Sequence, residues 1–116
     1  MTLPLPAAPF ERPYYAAIFV YTRTAGDNGY AERAEEMAKL VADQPGFLGV
    51  DSAYGTDRFG VLVSYWRDEQ FIAAWHDLAR HAATQADGRD RWYEAYTVHV
   101  ARVERAYGWT RSVAGD

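Results

Sequence analysis

The chain has 116 residues, 49% of them apolar, 24% charged and 16% aromatic, with a formal charge of -4 and no cysteine. That length builds one domain around one modest core. The acidic balance offers no broad attraction to nucleic acid or anionic lipid, and the absence of cysteine excludes disulfides, thiolate nucleophiles and thiolate metal sites.

In chain order, "MTLPLPAAPFERP" (1–13) carries four prolines, which remove backbone donors and predict an extended arm. It lacks the basic start and continuous apolar core of a signal peptide, and no later run approaches about 18 apolar residues, so a cytoplasmic protein is expected. "YYAAIFVYTR" (14–23) is β-branched and aromatic and reads as a strand. "AGDNG" ends it and offers Asp27 or Asn28 as a helix cap. From Tyr30 to about Asp43, the residues Tyr30, Ala34, Met37, Ala38 and Val41 share one helical stripe opposite Glu32, Glu35, Glu36 and Lys39. "QPGF" stops this helix, and "FLGVDSAY" (47–54) and "RFGVLVSYW" (58–66) flank "GTD" as a hairpin. Asp68 caps a second helix over residues 69 to 86, and "RWYEAYTVHVARVERAY" (91–107) supplies the last strand. The expected division is an arm at 1–13, a domain at 14–108 and a loose tail at 109–116.

Strand, helix, strand, strand, helix, strand is the order of a ferredoxin-like α+β sandwich, with an antiparallel sheet, the first and third strands central and both helices on one face. The central strands are apolar on both sides. Tyr15, Ala17, Phe19 and Tyr21 alternate with Ala16, Ile18 and Val20, and Val61 and Val63 alternate with Leu62. Helices on one face leave the other uncovered, which predicts a homodimer with sheets packed face to face.

The segments "QPGFLGVDSAYG", "VSYWRDEQFIAAWHDLARH" and "GRDRWYEAYTVHVARVERAYG" resemble the antibiotic biosynthesis monooxygenase family, small proteins of the dimeric α/β-barrel type, over about residues 14 to 108. The likeness rests on the Pro45-Gly46-Phe47 entry to the second strand, a strand ending in Tyr65-Trp66, and Trp75 in the second helix. It implies oxygenation without metal, flavin or haem, in which an electron-rich phenol, anthrone or hydroquinone is deprotonated and reacts directly with O2. Other relatives degrade haem or isomerise small signalling molecules. Trp66 matches a pocket tryptophan of the polyketide-oxidising relatives, but the asparagine those enzymes carry four residues earlier is Leu62 here. Haem-degrading relatives carry a first-strand Asn, a second-helix Trp and a His ten residues later. Trp75 matches the second, Tyr21 and Thr22 stand near the first, and the third falls on Gln85, with His81 a turn earlier. Haem degradation as those proteins perform it is not expected.

On a wheel advancing about 100° per residue, Phe71, Trp75, Leu78 and Ala82 fill the middle of the second helix's apolar arc. Ala74 and Gln85 lie on one shoulder, with His81 just outside it. His76 falls near the opposite margin, so the two histidines diverge and form no metal pair. Asp77, four residues before His81, is placed to orient that ring, making His81 a candidate base for a phenolic proton. The competing reading is an exposed Asp77–His81 pair that only supports the helix. Trp75, Trp66, Phe19 and Tyr21 are candidate walls for the substrate, Gln85 a polar contact, and Trp92, Tyr93 and Tyr96 a pocket rim or an aromatic plug. His99 reads as structural. No P-loop, dinucleotide fingerprint or serine-hydrolase elbow occurs, and no metal or cofactor is expected. The function expected is cofactor-independent oxidation of a small aromatic compound by O2. The alternatives are a non-catalytic dimer binding a hydrophobic small molecule, and a haem-binding protein.

Overall fold

The computed structural model describes residues 3–7, 9–85 and 91–111, with the side chains of residues 81–85 outside that description. Its elements are β1 (Tyr14–Arg23), α1 (Tyr30–Ala42), β2 (Phe47–Tyr54), β3 (Phe59–Trp66), α2 (Glu69–Gln85) and β4 (Tyr93–Val103). The strands form one antiparallel sheet in the order β2-β3-β1-β4, so the ferredoxin-like reading holds.

Local chemistry sets the ends of these elements. Asp27 starts α1 from two residues before Gly29, its carboxylate accepting from Gly29 N at 3.0 Å and Ala31 N at 3.1 Å. These bonds satisfy amides at the helix start that have no partner within the helix. The hairpin between β2 and β3 turns through Gly55–Arg58, with Arg58 at φ 69 and the Asp57 carboxylate accepting from Phe59 N at 3.1 Å. Asp68 accepts from Gln70 N at 3.3 Å at the start of α2. Gly46 has φ 78, and an added Cβ would overlap the Phe71 ring, so only glycine both makes this turn and admits α2.

Register assigns the two faces, because residues directly opposite on neighbouring strands point the same way. Tyr15, Ala17, Phe19 and Tyr21 lie opposite Trp66, Ser64, Leu62 and Gly60 on β3, and opposite Arg102, Val100, Val98 and Tyr96 on β4. Trp75 of α2 meets Trp66, and Tyr30 of α1 meets Tyr93, so both helices lie over this face. The other face presents Tyr14, Ala16, Ile18 and Val20 beside Tyr65, Val63 and Val61.

The described residues of the arm lie on that second face. Ala7 N donates to Asp51 Oδ1 at 2.7 Å, and Tyr65 Oη donates to Asp51 Oδ2 at 2.8 Å. The Phe10 ring sits 5.5 Å from Tyr14 and 5.6 Å from Tyr65, over Gly49, where a Cβ would come within 3.1 Å of it. Arg67 Nη1 donates to the carbonyls of Glu11 and Pro13. Tyr14 and Ala16 are therefore buried without any helix above them. Beyond β4, Tyr107 and Trp109 are 97% and 79% exposed.

Candidate functional site on the helix side of the sheet

The helix-side face carries aromatic rings at both ends and small or aliphatic residues between. At the β2-β3 end, Trp66 is fully buried and lies 5.4 Å from Phe47 and 6.3 Å from Trp75. Its Nε1 donates to Ser64 Oγ at 2.8 Å, which satisfies the one polar atom of a buried indole. At the other end of β1, the rings of Phe19 and Tyr21 stack at 5.1 Å, and Tyr93 stands edge-on to both at 5.5 and 5.7 Å. Tyr96 lies 5.3 Å from Phe19, and Tyr54 is nearly parallel to Tyr21 at 6.3 Å. The tryptophan end, opposite Tyr15, is separated from Tyr21 by six residues of strand, about 20 Å. Leu62, Val98 and Val100 line the floor between them and are exposed despite facing the helices, so the helices leave part of this face open.

Tyr21 is placed by an absence. It lies across the sheet from Gly60, and any Cβ there would overlap its ring. The ring therefore lies flat on β3, and its hydroxyl faces the start of α1.

There the hydroxyls of Tyr93 and Tyr30 are hydrogen-bonded at 3.3 Å. The Arg23 guanidinium stacks on the far side of Tyr30, with Cζ 3.5 Å from the ring centroid. Arg23 is buried and donates to the carbonyls of Trp92 at 3.1 Å, Asp27 at 3.2 Å and Gly26 at 3.3 Å. Among the described residues no carboxylate oxygen lies within 4.0 Å of it, so its charge is solvated by dipoles and not cancelled. Burial pushes the Tyr21 phenol up to about 12, with Tyr30 adding to the rise and Arg23 opposing it. Burial likewise raises Tyr30 and Tyr93. All three are neutral donors at ordinary pH and none is a base.

The residues singled out from the sequence thus divide. Phe19, Tyr21, Tyr93 and Tyr96 come together in one cluster, and Trp66 and Trp75 form another. Trp92 is buried behind Tyr30, 5.9 Å away ring to ring, with its Nε1 donating to Asn28 O at 2.9 Å, so it braces the start of α1. On α2 the most buried side chain is Ile72, whereas Leu78 is exposed, so the buried seam runs through Ile72, Trp75 and Ala79. Asp77 is exposed and lies about 140° round the helix from Ile72. The side chains of His81 and Gln85 lie outside the described residues. Tyr30, Tyr54 and Arg23 join the site without having been singled out for it by the sequence. Tyr30 stands out there only as part of the helix stripe, and a charged residue at a strand end carries no signal of being buried. Among the described residues, no three His, Asp or Glu side chains converge on a metal position, and no helix is long and apolar enough to cross a membrane.

A βαββαβ sheet with aromatic clusters at both ends of its helix-side face defines a small ferredoxin-like α+β protein. The family model described as antibiotic biosynthesis monooxygenase matches residues 13–87, and the chain belongs to that family. It is 48% identical over 95 residues, 82% of this chain and 83% of the other, to the uncharacterized protein YqjZ of Bacillus subtilis. Its fold is similar to that of a mutant form of SnoaB, a cofactor-independent oxygenase from Streptomyces nogalater, with a TM-score of 0.65 and 13% identity across 80% of this chain and 95% of that one. The NE2512 protein of unknown function from Nitrosomonas europaea superposes equally well, with a TM-score of 0.65 and 12% identity across 85% and 97% of the two chains.

Proposed function

We propose that the protein oxidises a small planar aromatic compound of the anthrone, phenol or hydroquinone type directly with O2. The observation that carries this reading is the open strip of the helix-side face at Leu62, Val98 and Val100, read as a slot, with the mutually packed rings of Phe19, Tyr21, Tyr54 and Tyr96 beside it and neutral tyrosine hydroxyls at its end. Aromatic walls hold a planar ring at low entropic cost, and the substrate supplies the electrons. For an anthrone, loss of a ring proton gives a carbanion that adds O2, and loss of water leaves the quinone. One oxygen atom stays in the product and the other leaves as water. The family match and the likeness to an oxygenase fold support this reading. His81 is the candidate base. Asp77, on the outer side of α2, is the weaker member of that pair. In the same reading a second copy of the chain covers the sheet face opposite the helices, beside the arm.

The test is oxygen uptake by metal-stripped protein over a panel of anthrones and hydroquinones, comparing wild type with His81→Ala and Phe19→Ala. Uptake well above buffer that falls in Phe19→Ala supports the reading, and a collapse in His81→Ala makes that residue the base. Uptake equal to buffer across the panel overturns it in favour of a binding protein. A shifted Soret band on adding haem would then identify the ligand class.

A further inference from the structure

We propose that the hydroxyls of Tyr30 and Tyr93, with the Arg23 guanidinium stacked behind Tyr30, form a subsite for the anionic oxygen of a phenol-type ligand, which the protein binds as its phenolate. The inference rests on the reading that the slot holds an aromatic ligand, and adds the ionisation state in which it is held.

Three observations carry it. Tyr30 is hydrogen-bonded both to Tyr93, at 3.3 Å, and to Tyr21, and three hydroxyls joined by two bonds keep one proton free to donate to a ligand. A cation 3.5 Å from the face of Tyr30 withdraws electron density from that ring and makes its hydroxyl a stronger donor. The Arg23 charge is held only by carbonyl dipoles, three of which it meets at 3.1 to 3.3 Å. A buried positive charge without a counterion favours an anion nearby. Among the described residues, β1 brings Tyr21 and Arg23 to the subsite, α1 brings Tyr30, β4 brings Tyr93 and Tyr96, and β2 brings Tyr54. Asp27, four residues from Arg23, is engaged by the amides of Gly29 and Ala31, and Glu32 and Glu94, beside Tyr30 and Tyr93 in sequence, are exposed. The stacked rings of Phe19 and Tyr21 run up to the pair, so a phenol lying against them places its oxygen at these hydroxyls. Binding of this kind lowers the ligand's own pKa and so eases the proton removal assigned to His81.

The probe is 4-nitrophenol, whose phenolate is distinguished by its absorbance, titrated from acid to mildly alkaline pH with the intact protein. The expected result is a bound-phenol pKa about one unit lower than in buffer, equivalent to about tenfold tighter binding of the phenolate. Tyr30→Phe and Tyr93→Phe, which keep the rings, should each reduce that shift, and Arg23→Met should abolish it. Because Arg23→Met removes a buried group and can fail to fold, the two Phe variants decide the matter. Equal affinity for phenol and phenolate, no binding at all, or a shift unchanged in both Phe variants overturns the subsite. The readout involves no oxygen consumption, so a protein that prefers the phenolate but oxidises nothing keeps this subsite and loses only the oxygenase reading.

Discussion

Trp66 and Trp75 lie against one another with ring centroids 6.3 Å apart and planes 32° apart, and this contact joins α2 to the sheet. Trp66 is the fully buried partner, and Ser64 beneath it takes the indole proton at 2.8 Å. Trp66→Ala removes the largest buried ring and leaves a cavity that the strands cannot close, so a loss of about 3–5 kcal/mol is expected. Ser64→Ala leaves the indole N–H without its acceptor at a cost of about 1–3 kcal/mol. Urea denaturation followed by tryptophan fluorescence checks both, and equal midpoints for Ser64→Ala and wild type would show that the bond contributes nothing.

A methyl group at residue 60 has nowhere to go but into the Tyr21 ring. Gly60→Ala is expected to cost about 1–3 kcal/mol by overpacking and to weaken aromatic ligands, because Tyr21 must rise off β3 into the slot. Denaturation midpoints and ligand titration on the same variant test the two effects separately.

Alkaline pH should destabilise the protein through its raised phenols, Tyr21 and Tyr65 among them. Tyr21 and Tyr65 are both raised from 10.0 to about 12, chiefly by burial, and for Tyr65 also by its bond to Asp51. Between those pH values the folded chain holds protons that the unfolded chain has lost. The stability from each group is therefore complete below about pH 10 and lost as pH rises through about 12. Thermal midpoints measured from pH 8 to 12 should fall across that window, and less steeply in Tyr21→Phe and Tyr65→Phe. A fall of the same slope in both variants would assign the alkaline limit to other groups.

The arm should contribute to stability although it lies outside the βαββαβ unit. Phe10→Ala strips the cover from Tyr14 and Tyr65, and Asp51→Ala removes the acceptor shared by Ala7 and Tyr65. Each is expected to cost about 1–3 kcal/mol in urea. Because both act on one contact, the double variant should lose less than the sum of the two. Additive losses would place Phe10 and Asp51 in separate contacts.

The fold was legible because its signals are local. The alternation through Tyr14–Arg23, the turn glycines and the Asp68 cap each declare an element within a few residues. The site was legible only in part. Phe19, Tyr21, Tyr93 and Tyr96 were identifiable as aromatic candidates, but the meeting of Tyr30 with Tyr93 spans 63 residues and depends on strand order. Arg23 shares the face of Tyr21 by simple alternation, but nothing local shows that a charged side chain at this strand end is buried under Tyr30. On α2 the apolar arc was wide enough to be centred on Leu78, and only burial shows that Ile72 faces the sheet. The arm read as extended because proline forbids regular pairing, yet Asp51 and Gly49 give it a seat that no property of the arm itself announces.

The bare backbone at Gly60 and the broad ring at Tyr21 fill one volume between them. Their identities are therefore coupled: a side chain gained at one position requires atoms lost at the other. Tyr21→Leu should relieve much of the damage done by Gly60→Ala, making the pair more tolerable than either change predicts alone. Under the proposed function, the same exchange would reshape the ligand's seat, so that two linked substitutions at one crossing of β1 and β3 would change the size of ligand it takes.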